Sequence, residues 1–177
     1  MEKIQKALER ARQQRLSALE TKVGGKGQPP TSRSKRSGLP VVYQQTRVVA
    51  PPKEIFLDGR IVAGLSQHEL ADTFRILRAQ VLQRLTLGGY STLAITSANR
   101  GDGKSLTSAN LAISLAMHVD RTVLLVDLDL RRPSLHKYFG VEPEAGLTDY
   151  LLNDAPLKSC LINPGIERLV LLPVRTA

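Results

Sequence analysis

Beyond residue 60 the chain alternates two apolar patterns: short continuous runs, and longer stretches whose apolar positions recur every three or four residues. The first kind marks strands buried in a parallel sheet, the second amphipathic helices. Residues 61–65 read as a short strand. Ser66 with Glu69 three positions later forms a capping box, so a helix is predicted from residue 66 to about 85. Leu70, Phe74, Leu77, Val81 and Leu85 share one of its faces, and Gly88-Gly89 ends it. Residues 93–96 (Leu-Ala-Ile-Thr) read as the end of a buried strand. Leu106, Ala109, Ala112, Ile113, Ala116 and Met117 recur at helical spacing, and residues 122–127 predict a parallel strand covered on both faces. A short helix over 134–139 stopped by Gly140, another after Gly146, and a buried strand at 169–172 follow. The sum is an α/β domain, a mostly parallel sheet flanked by helices.

The first fifty residues differ. Residues 1–20 read as a basic amphipathic helix, with Ile4, Leu8, Ala11 and Leu19 as a thin apolar stripe among charges. Residues 21–52 read as a flexible linker, rich in Gly, Pro, Ser, Thr and basic residues and poor in core formers. That leaves 53–177 as the folded domain.

Charge follows the same division. Residues 1–50 carry 11 Lys/Arg against 3 Asp/Glu, whereas 51–177 carry 14 against 13. The basic pI belongs to the tail, and a nearly neutral domain lacks the basic face that a nucleic-acid reader needs. The tail is either a solvated helix or a docking element for a partner or an anionic membrane. One cysteine, Cys160, allows no internal disulfide, so a reducing cytoplasm is the expectation. No apolar run approaches the roughly 20 residues that span a bilayer. His68, His118 and His136 show no metal-ligand spacing, and packing roles are expected for them and for Cys160.

The chemistry concentrates between the strand at 93–96 and the helix that follows. Ala98-Asn99-Arg100-Gly101-Asp102-Gly103-Lys104-Ser105 is a small-residue loop closing on Gly-Lys-Ser at a helix start. Glycines let backbone N–H groups turn toward phosphates, and the helix N-terminus adds positive potential. Residues 98–106, through Leu106, are the candidate nucleotide loop. Lys104 would reach the β- and γ-phosphates, and the Ser105 hydroxyl would join a Mg²⁺ shell. Ala98 replaces the first glycine of the strict phosphate-loop pattern. About 20 residues on, Asp127, Asp129 and Arg131 stand at a strand end, where open α/β sheets bind ligands. Two such acids can hold metal-bound water or accept a proton; the structural alternative is a turn capped by Asp.

These motifs together resemble the bacterial tyrosine kinases of capsule and exopolysaccharide export, the BY-kinases. Residues 96–105 with Asn110-Leu111-Ala112 look like that family's Walker A segment, and residues 127–136 (Asp-Leu-Asp-Leu-Arg-Arg-Pro-Ser-Leu-His) like its Walker A′ motif. Gly146-Leu147-Thr148-Asp149 and Leu171-Leu172-Pro173 continue the likeness. Asp72, Arg75 and Arg78 are similar to the family's Glu-x-x-Arg-x-x-Arg oligomerisation motif, with Asp for Glu. The opening fifteen residues look like kinases encoded as separate soluble chains.

The resemblance implies a P-loop NTPase-like fold and ATP- and Mg²⁺-dependent tyrosine autophosphorylation, tied to polysaccharide chain length and export. It implies Lys104 neutralising charge on the transferring phosphoryl group, with Ser105, Asp127 and Asp129 toward the metal, Arg131 at the nucleotide and Asp127 accepting the tyrosine proton. The implied partner is a transmembrane chain-length determinant, with a homo-oligomer formed through Asp72, Arg75 and Arg78. No specific nucleic acid is implied. The implied place is cytoplasmic, at the inner face of the plasma membrane, through the partner or the basic tail.

Arg100 and Asp102 replace the family's usual Pro and Glu. The Walker B strand, an apolar run ending in Asp-x-Pro-Pro, occurs nowhere, nor does a terminal tyrosine cluster; Tyr43, Tyr90, Tyr138 and Tyr150 are scattered. The expectation is the N-terminal part of a longer kinase, or a truncated copy. Two alternatives follow: a non-catalytic nucleotide-binding regulatory module of the export complex, and a partition- or septum-type P-loop ATPase. The latter class carries a signature lysine early in the loop, which this chain lacks.

Overall fold

The computed structural model describes residue 13 and residues 46–51, 54–55, 60–65, 68–118 and 121–175. The expected N-terminal helix, except residue 13, and most of the linker lie outside them.

Helix α1 spans Glu69–Gly88 and starts later than the capping box predicts. Ser66 lies outside the described residues, and His68 caps the helix: its Nδ1 accepts from the Leu70 N–H at 3.2 Å, filling the place of an absent intrahelical partner. At the far end Gly89 adopts the left-handed conformation and its N–H reaches the Leu85 and Thr86 carbonyls. Phe74, Leu77, Val81 and Leu85 are half-buried as the spacing requires, whereas Leu70 is exposed.

Helix α2, Lys104–Ala116, buries Ala109, Ala112, Ile113 and Ala116 in the core, while Met117, at its end, is exposed. It packs against α1. Arg78 Nη1 donates to the Ser114 carbonyl at 2.8 Å, and the Ser114 hydroxyl donates to the Phe74 carbonyl at 3.1 Å.

Among the described residues four strands form the sheet: β1 (Arg47–Val48), β2 (Val123–Val126), β3 (Ile162–Asn163) and β4 (Leu169–Leu172), in the order β1-β3-β4-β2. β1 runs parallel to β3 and β2 parallel to β4; only β3 and β4 are antiparallel. All of β4 is buried. β2 is not covered on both faces as its sequence predicts, because it lies at the sheet edge and Leu124 is 53% exposed.

Two further expected strands are not formed. Residues 61–65 make a turn, because Asn110 of α2 supplies the partners a ladder would. Its Oδ1 accepts from Val62 N at 2.8 Å and Ala63 N at 2.9 Å, and its Nδ2 donates to the Arg60 and Leu106 carbonyls. Residues 93–96 enter the glycine loop without pairing with any strand among the described residues, and Leu93 is exposed. An apolar run becomes a strand only where a neighbour takes its backbone hydrogen bonds.

Three short helices follow β2: α3 (Leu135–Tyr138), α4 (Leu147–Leu152) and α5 (Leu157–Cys160). The first two match the sequence pattern; α5 and β3 are too short to leave a period in it. Phe139, Leu169 and Leu171 join the α2 residues in the main core, and Leu147, Cys160, Leu172 and Val174 form a smaller one. Gly146 is required where α4 meets the chain after β4: a Cβ there would lie 2.4 Å from the Pro173 carbonyl oxygen. Asp149 ties the same corner. It accepts from the Gly146 N–H at 2.9 Å, from Asn153, and from both Nε and Nη2 of Arg175.

Candidate nucleotide site

The glycine loop is shaped by its own residues. Gly101 and Gly103 have φ of 89° and 88°, in the left-handed region open to glycine at little cost. The Asp102 carboxylate accepts from the Asn99 N–H at 2.8 Å, and the Ser97 hydroxyl donates to the Asn99 carbonyl at 3.0 Å, closing the loop on itself. Ala98, Asn99, Arg100, Gly101 and Asp102 are exposed; Gly103, Lys104, Ser105 and Leu106 are half-buried. Gly103 is the N-cap of α2 and offers no side chain to it. The first-turn N–H groups, which have no intrahelical acceptor, therefore face the loop with positive potential, and the turn itself contains no acidic residue.

Across from this helix start, the chain leaving β2 turns twice on its own aspartates. The Asp127 carboxylate is 4% exposed and accepts three backbone bonds: Oδ1 from Asp129 N at 3.0 Å, Oδ2 from Ser134 N at 3.0 Å and Leu135 N at 3.1 Å. It organises the whole turn from β2 to α3. Asp129 Oδ1 accepts from Arg132 N at 3.1 Å. Both acids thus cap turns, as the structural alternative expects.

Asp129 also does something more. Its Oδ2 lies 2.8 Å from Lys104 Nζ, joining the helix start to the strand end. The bond raises the Lys104 ammonium above its ordinary range. The same bond, helped by the Arg132 N–H, lowers the Asp129 carboxyl. Ser105 is tied across the same gap, for the Ser134 hydroxyl donates to Ser105 Oγ at 3.0 Å. Lys104, Ser105 and Asp129 are therefore brought together. Asp127 stands behind them, turned to the backbone, and Arg131 is exposed on the turn. The sequence pattern does not single out Ser134 as a functional candidate, because a Ser after Pro is too common to stand out.

The remaining titratable groups do not join the site as ligands. Among the described residues no cluster of three or more His, Cys, Asp or Glu could hold a metal ion. His136 is shifted downward by burial, and its buried Nδ1 has no partner. Asp72 and Arg75 pair along α1, and Arg78 reaches α2.

A glycine loop opening a helix, facing the carboxyl end of a parallel strand, defines a P-loop-type α/β domain. No family model matches the chain. It is 35% identical over 91 residues to the tyrosine-protein kinase YwqD of Bacillus subtilis (strain 168), covering 51% of this chain and 38% of that protein. It is 33% identical over 115 residues to the succinoglycan biosynthesis transport protein ExoP of Rhizobium meliloti (strain 1021), covering 65% of this chain and 14% of that protein. The solved BceF tyrosine kinase domain superposes with a TM-score of 0.57 at 25% identity, over 75% of this chain and 57% of that one. The matched part of the chain is thus similar to bacterial tyrosine kinases and shares the fold of a solved tyrosine kinase domain. The chain spans well under half the length of these curated relatives.

Proposed function

We propose that the chain binds ATP with Mg²⁺ at the Lys104 loop and contributes that site to a tyrosine autokinase of exopolysaccharide or capsule biosynthesis. The observation that carries this reading is the meeting of Lys104 and Asp129 at 2.8 Å, which puts a phosphate-binding cation and an acid at one point. Lys104 and the N–H groups of residues 101–106 hold the triphosphate. The available donors are all oxygen, the Ser105 hydroxyl and the Asp129 carboxylate, which suits a hard cation that keeps several waters. Bound there, Mg²⁺ would offset charge on the phosphates.

In the transfer the tyrosine oxygen bonds to the γ-phosphorus, the bond to the bridging oxygen breaks, and ADP leaves. The tyrosine proton goes to a carboxylate. Asp127 Oδ1, which accepts one backbone bond where Oδ2 accepts two, is the atom with capacity for it. Positioning and charge stabilisation carry most of such a reaction, so removing Lys104 should cost orders of magnitude in rate.

Chain-length control, a transmembrane co-polymerase partner and an inner-membrane location are proposed from the family resemblance alone. Among the described residues no helix is long and apolar enough to cross a membrane; attachment through a partner or the basic tail is part of the proposal. Oligomerisation through α1 is proposed for Asp72 and Arg75; Arg78 already braces α2.

A regulatory nucleotide-binding module is the second reading. It is favoured by residues 93–96, which lead into the loop without pairing with any strand among the described residues. Incubation with labelled ATP and Mg²⁺ separates the two. Phosphotyrosine that disappears in Lys104→Met establishes the kinase; retained nucleotide without transfer establishes the module; no retention overturns both.

A further inference from the structure

Ser134 occupies the N-cap position of α3, where a serine hydroxyl ordinarily accepts an N–H of the first turn and stabilises the helix by about 1 kcal/mol. Here the side chain makes no capping bond. The capping is done from outside the helix by Asp127 Oδ2, which accepts the Ser134 and Leu135 N–H groups. The hydroxyl, released from its local duty, reaches Ser105 Oγ at 3.0 Å, from the start of α3 to the start of α2. Both serines are half-buried.

From this arrangement we infer that Ser134 is a positioning residue for the Ser105 hydroxyl and sets the affinity of the loop for its divalent cation. The inference rests on the nucleotide reading above. A hydroxyl that gives a lone pair to a cation needs an acceptor for its own hydrogen. Hydroxyl hydrogens rotate freely, so the Ser134–Ser105 bond can reverse, with Ser105 donating and Ser134 accepting. Ser134 is fixed for this by its backbone bond to buried Asp127, so its oxygen stays in place whichever way the hydrogen points. Such partners behind a metal ligand typically change metal affinity about 10- to 100-fold.

The test is titration of the full chain with a fluorescent ATP analogue, in EDTA and across a Mg²⁺ series, for wild type, Ser134→Ala and Ser134→Thr. The expected result is that S134A needs about tenfold more Mg²⁺ for its half-maximal gain in binding. Its affinity in EDTA should equal wild type, and threonine should restore the Mg²⁺ requirement. Equal Mg²⁺ dependence in wild type and S134A would overturn the inference while leaving the nucleotide site standing. So would a loss of affinity in S134A that is the same with and without Mg²⁺, since that is the mark of a merely structural role. A wild-type chain that binds no nucleotide would overturn the site reading itself, and this inference with it.

Discussion

Lys104 opens one helix and Asp129 follows one strand, yet their charged ends meet at 2.8 Å. The contact places an acid on the cation that a triphosphate would need. A phosphate ligand and the Asp129 carboxylate therefore compete for one ammonium unless Mg²⁺ occupies the carboxylate. Removing the charge of Asp129 separates the two effects. Asp129→Asn should bind ATP several-fold more tightly in EDTA and lose most of the Mg²⁺ stimulation and the phosphotransfer. Equilibrium titration with and without Mg²⁺ checks this, and weaker binding in EDTA would contradict it.

Asp127 should behave differently from its neighbour. Its carboxylate is buried on three backbone N–H groups, so an amide there must present hydrogens to a donor. Asp127→Asn is expected to lose on the order of 1–3 kcal/mol of stability, and Asp129→Asn, on a half-exposed group, much less. Denaturant unfolding of both variants measures the contrast. Hydrogen exchange at Ser134 and Leu135 should rise in the first alone.

Asn110 carries a load that its place in a helix does not advertise. Its amide serves two buried donors and two acceptors from residues 60–63 and 106. Asn110→Ala leaves Val62 and Ala63 N–H without acceptors and should cost roughly 2–4 kcal/mol. Asn110→Asp keeps the acceptor for those two groups and should cost less. A Tm series over the two variants decides the order.

The Asp149–Arg175 corner gives a dependence on pH. Burial raises the Asp149 carboxyl, but bonds from Gly146 N, Arg175 and Asn153 outweigh it, and the net shift is below the ordinary 3.8. A depressed pKa stabilises the folded state fully above the unfolded value, and that contribution disappears as pH falls through the folded value. Asp149→Asn should therefore be less stable than wild type at pH 7, with a gap that narrows as pH drops below about 4. Urea unfolding at pH 7, 5 and 3 tests the sign; a gap that widened in acid would refute it.

The local elements were legible because their signals are local. The 3.6-residue period of α2, the glycines that close α1 and shape the loop, the apolar run of β4 and the Asp-x-Asp turn all depend on neighbours within a few residues. Gly101 and Gly103 marked a backbone that only glycine adopts at little cost, so the position of the loop was legible in the sequence. Periodicity could not say which apolar run finds a partner. Residues 61–65 and 93–96 read as strands, but a side-chain amide serves the first and no described strand pairs with the second.

What the sequence determined by itself was the set of groups, an ammonium, a hydroxyl and two carboxylates on helix starts and strand ends, since covalent spacing fixes those. Which groups meet was decided only in three dimensions. Folding of β2 against β4 and α2 turned Asp129 toward Lys104, Asp127 toward the backbone and Ser134 toward Ser105. Hydrogen bonds act over about 3 Å, and residues 25 or 29 apart come within that distance only through the packed fold.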